Sequence, residues 1–173
     1  MKPKFLYNPK TAAYQNLKRL VLSDAFTWYR CSKTIVEDVD SDHNDYSFLS
    51  HLFLSRPMRE CLYSEVHSSH IKLIEQVFKE IAKVNELDPQ VIFRMNANAV
   101  YPTEKNLPSP IHIDHYFDHK NMIIYLTDPQ EGSTIVEGEE YLGKEDQIFI
   151  FEGKHCARPP SKDVRIVLVI TFL

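Results

Sequence analysis

Glycine is scarce in this chain. Only four occur among its 173 residues, Gly132, Gly138, Gly143 and Gly153, and all fall in one short stretch. That stretch therefore reads as turns between short strands, and glycine-made turns are not expected elsewhere. Cysteine is nearly as rare. Cys31, Cys61 and Cys156 are odd in number, widely scattered and form no CxxC pair. This excludes a disulfide framework and points to a reducing, cytoplasmic setting. No apolar run approaches the roughly 20 residues of a membrane span. The first ten residues are polar and basic with two prolines, lack an apolar signal core and read as mature sequence. There is no basic excess either. A formal net charge of -4 argues against nonspecific nucleic-acid binding, and no basic stripe is interleaved with aromatics. Internal repeats and low-complexity tracts are also missing. The acidic run Glu37 to Asp45 reads as a solvated loop.

What is present is enough for one domain with a sizeable core, because 43% of the residues are hydrophobic. The two halves differ. Thr11 to Ser23 places Tyr14, Leu17, Leu20 and Val21 at helical spacing, with Thr11 as N-cap. Tyr46 to Ser55 is a weaker helical candidate. Ser69 to Leu87 is the clearest helix. Its apolar stripe runs Ile71, Leu73, Ile74, Val77, Phe78, Ile81 and Val84, and its wet side carries Lys72, Glu75, Lys79, Glu80 and Lys83. From Val91 the pattern turns to strands: Val91 to Tyr101, Ile111 to His115, Asn121 to Thr127, Ser133 to Val136, Gln147 to Phe151 and Val164 to Leu173. Pro102 to Pro110 holds three prolines and must be a loop. Its latter part, Lys105 to Pro110, is placed to close over a pocket. Helices first and strands second predict an α+β chain, about 1–90 helical and about 91–173 a small double-sheet barrel, acting as one domain.

One constellation carries chemistry. His112-Ile113-Asp114 is followed 41 residues after the aspartate by His155, and ten residues later by Arg165. On a strand, residues i and i+2 share a face, so His112 and Asp114 can reach one metal while Ile113 points away. His155 must come from a second strand folded alongside. Two histidines and one carboxylate are the ligand set of mononuclear non-haem iron oxygenases. Arg165 interrupts an apolar run that otherwise reads as a central strand. A buried arginine needs an anion, and no acid partner is evident. A ligand carboxylate held in a two-pronged grip would answer that need.

Other readings stay open. His112 and Asp114 as a hydrogen-bonded surface pair, with His155 as a satisfied half-buried histidine, is the structural alternative. Zinc accepts the same ligand types. Cys156 follows His155 and on a strand faces away from the metal, as a buried thiol. His115 and His119 fit a loop or supporting role. Arg94, Asn96 and Asn98 share one strand face, with Tyr101 on the other unless a bulge intervenes. Asn96 or Asn98 touches a ligand, or the face is simply solvated. Arg158, Tyr116 and Phe117 fall where a pocket mouth would lie, or are plain surface residues.

From Val91 to Leu173 the sequence resembles the Fe(II)- and 2-oxoglutarate-dependent dioxygenases. The HxD pair, the distal His155 and Arg165 carry the likeness. Ala99-Val100-Tyr101-Pro102 and Ile124-Tyr125-Leu126-Thr127 look like the corresponding strands of prolyl-hydroxylase-type members, and Gly132-Ser133-Thr134 resembles the turn that follows. Phe26-Thr27-Trp28-Tyr29, the Tyr46 to Leu54 tract and Arg94 to Asn98 are similar to small stand-alone bacterial and phage members. The resemblance implies a double-stranded β-helix (a cupin-like jelly roll) with the N-terminal helices packed on one sheet. It implies iron at His112, Asp114 and His155, with 2-oxoglutarate as cosubstrate and O2 as oxidant. Arg165 would take the distal carboxylate beside Tyr125, with Tyr101 and Asn98 as further cosubstrate contacts. The implied reaction is oxidative decarboxylation of 2-oxoglutarate to succinate coupled to hydroxylation of a peptidyl residue or a small molecule. The Asp114 carboxylate argues against halogenation, where a small residue leaves room for halide. The alternatives are a non-catalytic metal- or carboxylate-binding module on the same fold, or a cupin-like isomerase or hydrolase. The lack of a HxH pair counts against the last.

Overall fold

The computed structural model describes residues 1–31, 48–57 and 63–173. The acidic run Glu37 to Asp45, Tyr46 and Cys61 lie outside them. The first expected helix forms as α1 (Ala12–Val21), capped by Thr11, whose hydroxyl accepts the Tyr14 amide. Its buried face is Ala13, Tyr14, Leu17 and Val21, one stripe at i, i+3/i+4 spacing. The second forms as α2 (Ile71–Val84), burying Ile71, Ile74, Val77, Phe78, Ile81 and Ala82.

Ten strands accompany the helices: β1 (Lys4–Leu6), β2 (Tyr29–Cys31), β3 (Phe48–Leu54), β4 (Ile92–Val100), β5 (Lys120–Tyr125), β6 (Ser133–Val136), β7 (Glu139–Leu142), β8 (Ile148–Phe151), β9 (His155–Arg158) and β10 (Arg165–Phe172). Seven form one antiparallel sheet in the order β1-β8-β5-β10-β4-β3-β2, and three form a second in the order β7-β6-β9. His112 extends the smaller sheet. Its N–H and C=O both pair with His155, at 2.9 Å each way. Four strands (β8, β5, β10, β4) thus face three strands and the 109–112 segment, the two layers of a jelly roll.

Two readings need correction. In place of the weak helix expected over Tyr46–Ser55, the described residues Phe48–Leu54 form the strand β3. Phe48, Leu49, Leu52 and Phe53 mimic helical spacing, but the backbone finds partners on both sides, β4 through Leu49↔Ala99 and β2 through Tyr29↔Ser50. Long-range pairing overrides a local pattern. The strand over Ile111–His115 shrinks to the single bridge at His112. Pro110 has no N–H to donate, so the ladder cannot run on evenly. Ser109 rejoins it, donating its N–H to Ala157 O at 2.8 Å. The N-terminal half is also less helical than expected, since it supplies β1 to one edge of the large sheet and β3 and β2 to the other.

Side-chain parity on the large sheet builds two cores. Met95, Ala97, Ala99, Met122, Ile124, Ile148, Ile150, Leu168, Ile170 and Phe172 face the helices, where Phe78 meets Phe172 edge-on. Full burial of each large side chain here contributes roughly 1.5–3 kcal/mol. The opposite face buries Ile123, Tyr125, Phe149, Phe151 and Val167 against Val136 of the small sheet. That inner layer stops short of filling the gap between the sheets.

Candidate metal and carboxylate site

The unfilled part of the gap is a cavity of about 100 Å³. The strand register arranges its inner wall in rows. Arg94, Thr171, Asn121 and Phe151 lie side by side across β4, β10, β5 and β8. Asn98, Val167 and Tyr125 form another row, and Val100 and Arg165 the next beyond it. Phe151 touches the His155 ring, so the first row marks the histidine end and the last the Arg165 end.

At the first end the two imidazoles stand 4.5 Å apart, centroid to centroid. His112 Nδ1 meets Pro110 O at 3.0 Å and His155 Nδ1 meets Gly153 O at 3.2 Å. A carbonyl oxygen only accepts, so Nδ1 carries a hydrogen in both rings and Nε2 is the nitrogen left to meet a ligand. Burial, aided by His112, pushes the His155 imidazole down to about 4 against the pull of Asp114, so it is neutral at pH 7.

Asp114 completes the group. Its Oδ2 lies 3.6 Å from His155 Nε2. Its Oδ1 accepts from Arg94 at 2.8 Å and from Arg56 at 3.2 Å, and Arg56 also donates to the Asp114 backbone carbonyl at 2.9 Å. Burial alone would raise this carboxyl. Arg94, His155, His112 and Arg56 outweigh it and hold the group well below the ordinary carboxylate range. Two imidazoles, that of His155 neutral, and one ionised carboxylate fit a first-row divalent metal. Among the described residues no three His, Cys, Asp or Glu side chains are already drawn up to ligand geometry, so closure around an ion would take side-chain movement. Hydrogen bonds from ring nitrogens to carbonyls aim such ligands and raise their basicity.

At the other end Arg165 is 2% exposed. One guanidinium nitrogen donates to Thr134 Oγ1 at 3.0 Å, the plane lies over the Tyr125 ring at 5.4 Å, and Nε has no partner. Among the described residues it makes no ion pair. Tyr125 shares Thr134, hydroxyl to hydroxyl at 3.0 Å. A cation this buried, with only a hydroxyl for company, is suited to a carboxylate from outside. Gly143 packs flat on Tyr125. A Cβ there would fall within 2.3–2.6 Å of three ring carbons. We expect Gly143→Ala to displace the ring from Thr134 and cost roughly 1–3 kcal/mol, read as a lowered melting temperature.

The remaining candidates separate clearly. Asn98 lines the cavity; Asn96 is fully buried and donates to Asn98 Oδ1 at 2.6 Å. Tyr101 lies past the end of β4, is 49% exposed and does not line the cavity. Cys156 is buried and free, and contributes to the wall. His115 hydrogen-bonds Thr171 at 2.8 Å and stacks on Phe117, with His119 edge-on, away from the cavity. Arg158 pairs with Glu140 at 2.8 Å and Tyr116 is exposed, so neither reaches the cavity wall. Arg56, Thr134 and Asn121 line it without having been singled out as site residues. Parity alone could have found Thr134 and Asn121. Nothing local marks Arg56.

No protein-family model and no curated protein matches the sequence. Solved structures do. A 2OG-Fe(II) oxygenase family oxidoreductase from Burkholderia pseudomallei is 12% identical with a TM-score of 0.68, covering 98% of this chain and 84% of its own. A prolyl hydroxylase from Trichoplax adhaerens, solved with a hypoxia-inducible-factor peptide fragment, is 10% identical at 0.60, covering 99% and 83%. The epimerase SnoN of nogalamycin biosynthesis is 12% identical at 0.60, covering 99% and 77%, and is also known in complex with Fe3+ and alpha ketoglutarate. The fold of this chain is that of the 2OG-Fe(II) oxygenases, a jelly-roll core with helices on one sheet. Among the described residues, no helix is long and apolar enough to cross a membrane.

Proposed function

We propose that the chain acts as a single-domain Fe(II)- and 2-oxoglutarate-dependent oxygenase that hydroxylates a peptidyl residue or a small molecule. His112 and His155, through Nε2, and Asp114, through Oδ2, would hold iron. Arg165, with Tyr125 and Thr134 behind it, would hold the distal carboxylate, and Asn98 lies on the wall between the two ends. The observation that carries this reading is the pairing of the His-Asp-His group with a buried, acid-free arginine in one cavity. When bound, iron supplies the oxygen chemistry that decarboxylates 2-oxoglutarate to succinate and carbon dioxide and oxidises the substrate. The chain's part is placement. The carbonyls of Pro110 and Gly153 aim the imidazoles, Arg94 and Arg56 hold Asp114 ionised, and the apolar wall of Ile123, Phe151, Val167 and Val169 excludes water.

The test is the visible spectrum of anaerobic protein with Fe(II) and 2-oxoglutarate. Chelation in this geometry gives a weak metal-to-ligand band in the green. Bound iron with no band defeats the 2-oxoglutarate reading. A band with no succinate formed under oxygen favours a non-catalytic module.

A further inference from the structure

Among the described residues, three guanidinium groups and one carboxylate line the cavity: Arg56, Arg94 and Arg165 against Asp114. Among the described residues, the hydrogen bonds of Arg94 and Arg56 go to Asp114 and that of Arg165 goes to Thr134. Two cations therefore share a single oxygen, Asp114 Oδ1. The proposed iron and 2-oxoglutarate do not relieve this. The divalent metal adds two positive charges and the cosubstrate two negative ones. Five positive charges then face three negative in a partly desolvated cleft, where uncompensated charge is expensive. The chain as a whole carries -4, so this cationic surplus is local.

The cations differ in how tightly they are committed. Arg94 is seated on β4 with a side chain 16% exposed, and its bond to Asp114 is the shorter one. Arg56 follows β3, its side chain is 38% exposed, and besides a 2.9 Å bond to the Asp114 backbone carbonyl it makes the longer 3.2 Å contact to a carboxylate oxygen Arg94 already satisfies. Turning Arg56 away from that oxygen leaves Asp114 neutralised and presents a planar, two-pronged donor to the cavity.

Building on the iron and 2-oxoglutarate reading above, we propose that Arg56 receives an anionic group of the substrate, so that the substrate carries a carboxylate or a phosphate near the carbon that reacts. Both groups offer the oxyanion geometry a guanidinium fork matches.

The test uses Mn(II) in place of iron, with 2-oxoglutarate present. Loss of the free-ion electron paramagnetic resonance signal reports metal loading. Inorganic phosphate and 13C-labelled acetate are the probes, read by Mn(II)-induced relaxation of their 31P and 13C resonances. Relaxation of one probe that saturates, and whose affinity falls about tenfold or more in Arg56→Gln, supports the site and tells which oxyanion it prefers. Arg56→Lys keeps the charge without the fork and should fall between. Thermal melting checks that each variant is folded. If wild type fails to load Mn(II), the metal reading fails and this inference with it. If Mn(II) loads but neither probe relaxes, or both relax equally in Arg56→Gln, the inference alone is overturned.

Discussion

Replacing His155 with alanine is expected to abolish iron-dependent succinate formation and leave the protein folded. Of the proposed ligands, His155 is the one to remove because its imidazole is already neutral, so its loss strands no charge. The stability cost should be that of an ordinary core truncation, about 1–3 kcal/mol. Asp114→Ala should also be inactive but is a poorer test. It leaves the Arg94 guanidinium, which burial and the neighbouring Arg56 both disfavour as a cation, without its main anion. Breaking a buried pair in this way costs about 3–5 kcal/mol, so inactivity and unfolding would be confused. Succinate production by a folded His155→Ala protein at the wild-type rate would remove the metal assignment.

Arg165→Met should separate stability from function in the opposite sense. The wild-type residue is a buried cation with one hydroxyl contact and an unpartnered Nε. An apolar side chain of similar volume replaces it at no loss, or with a gain of about 1–4 kcal/mol. Yet each charge-assisted hydrogen bond to a carboxylate contributes about 1.5–3 kcal/mol, so losing the grip should weaken 2-oxoglutarate binding roughly a hundredfold or more. A variant that melts no lower than wild type and no longer binds 2-oxoglutarate identifies a residue kept for its ligand. If melting temperature and 2-oxoglutarate affinity fall together, Arg165 is structural and the carboxylate assignment is lost.

The histidines also set a pH dependence in the metal-free protein. Burial holds both His115 and His155 down to about 4, against an ordinary 6.5. The unfolded chain therefore takes up protons first as pH falls. The stability these groups contribute is fully present above 6.5 and is lost between 6.5 and about 4, by up to about 1.4 kcal/mol per pH unit for each histidine. Urea midpoints at pH 7 and pH 5, with a chelator present, measure this. Equal midpoints would mean the rings are not buried in their neutral forms.

The sequence disclosed its C-terminal half well, because strand parity is a strong signal where one face meets helices and the other a cavity. It placed His112 and Asp114 on one face and put Arg94 with Asn96 and Asn98, and the cavity wall holds all of these except Asn96, which is buried beside Asn98. It fared worse where partners are distant in the chain. The apolar spacing of β3 is locally ambiguous and reads as a helix, and only pairing with its distant partners β2 and β4 settles it. The strand β7, Glu139–Leu142, carries one glutamate and one apolar residue on each face and so has no alternation to detect. Arg56 carries no local mark, since its meaning lies in the contact it makes with Asp114, 58 residues away. The position of Tyr101 turned on where β4 ends. With Val100 its last residue, the tyrosine falls beyond the wall.

The two-faced strands of the large sheet carry one more implication, for how this scaffold could change its chemistry. On β4, Met95, Ala97 and Ala99 belong to the helix-side core, and Asn98 with Val100 to the cavity. The same division holds on β5 and β10, where Ile123, Val167 and Val169 look inward and their immediate neighbours outward. Foldedness and selectivity are thus inherited through alternate positions of the same strands. A library that varies only the inward set should yield mostly soluble, metal-competent proteins with altered preferences, and one that varies the outward set should yield mostly aggregates.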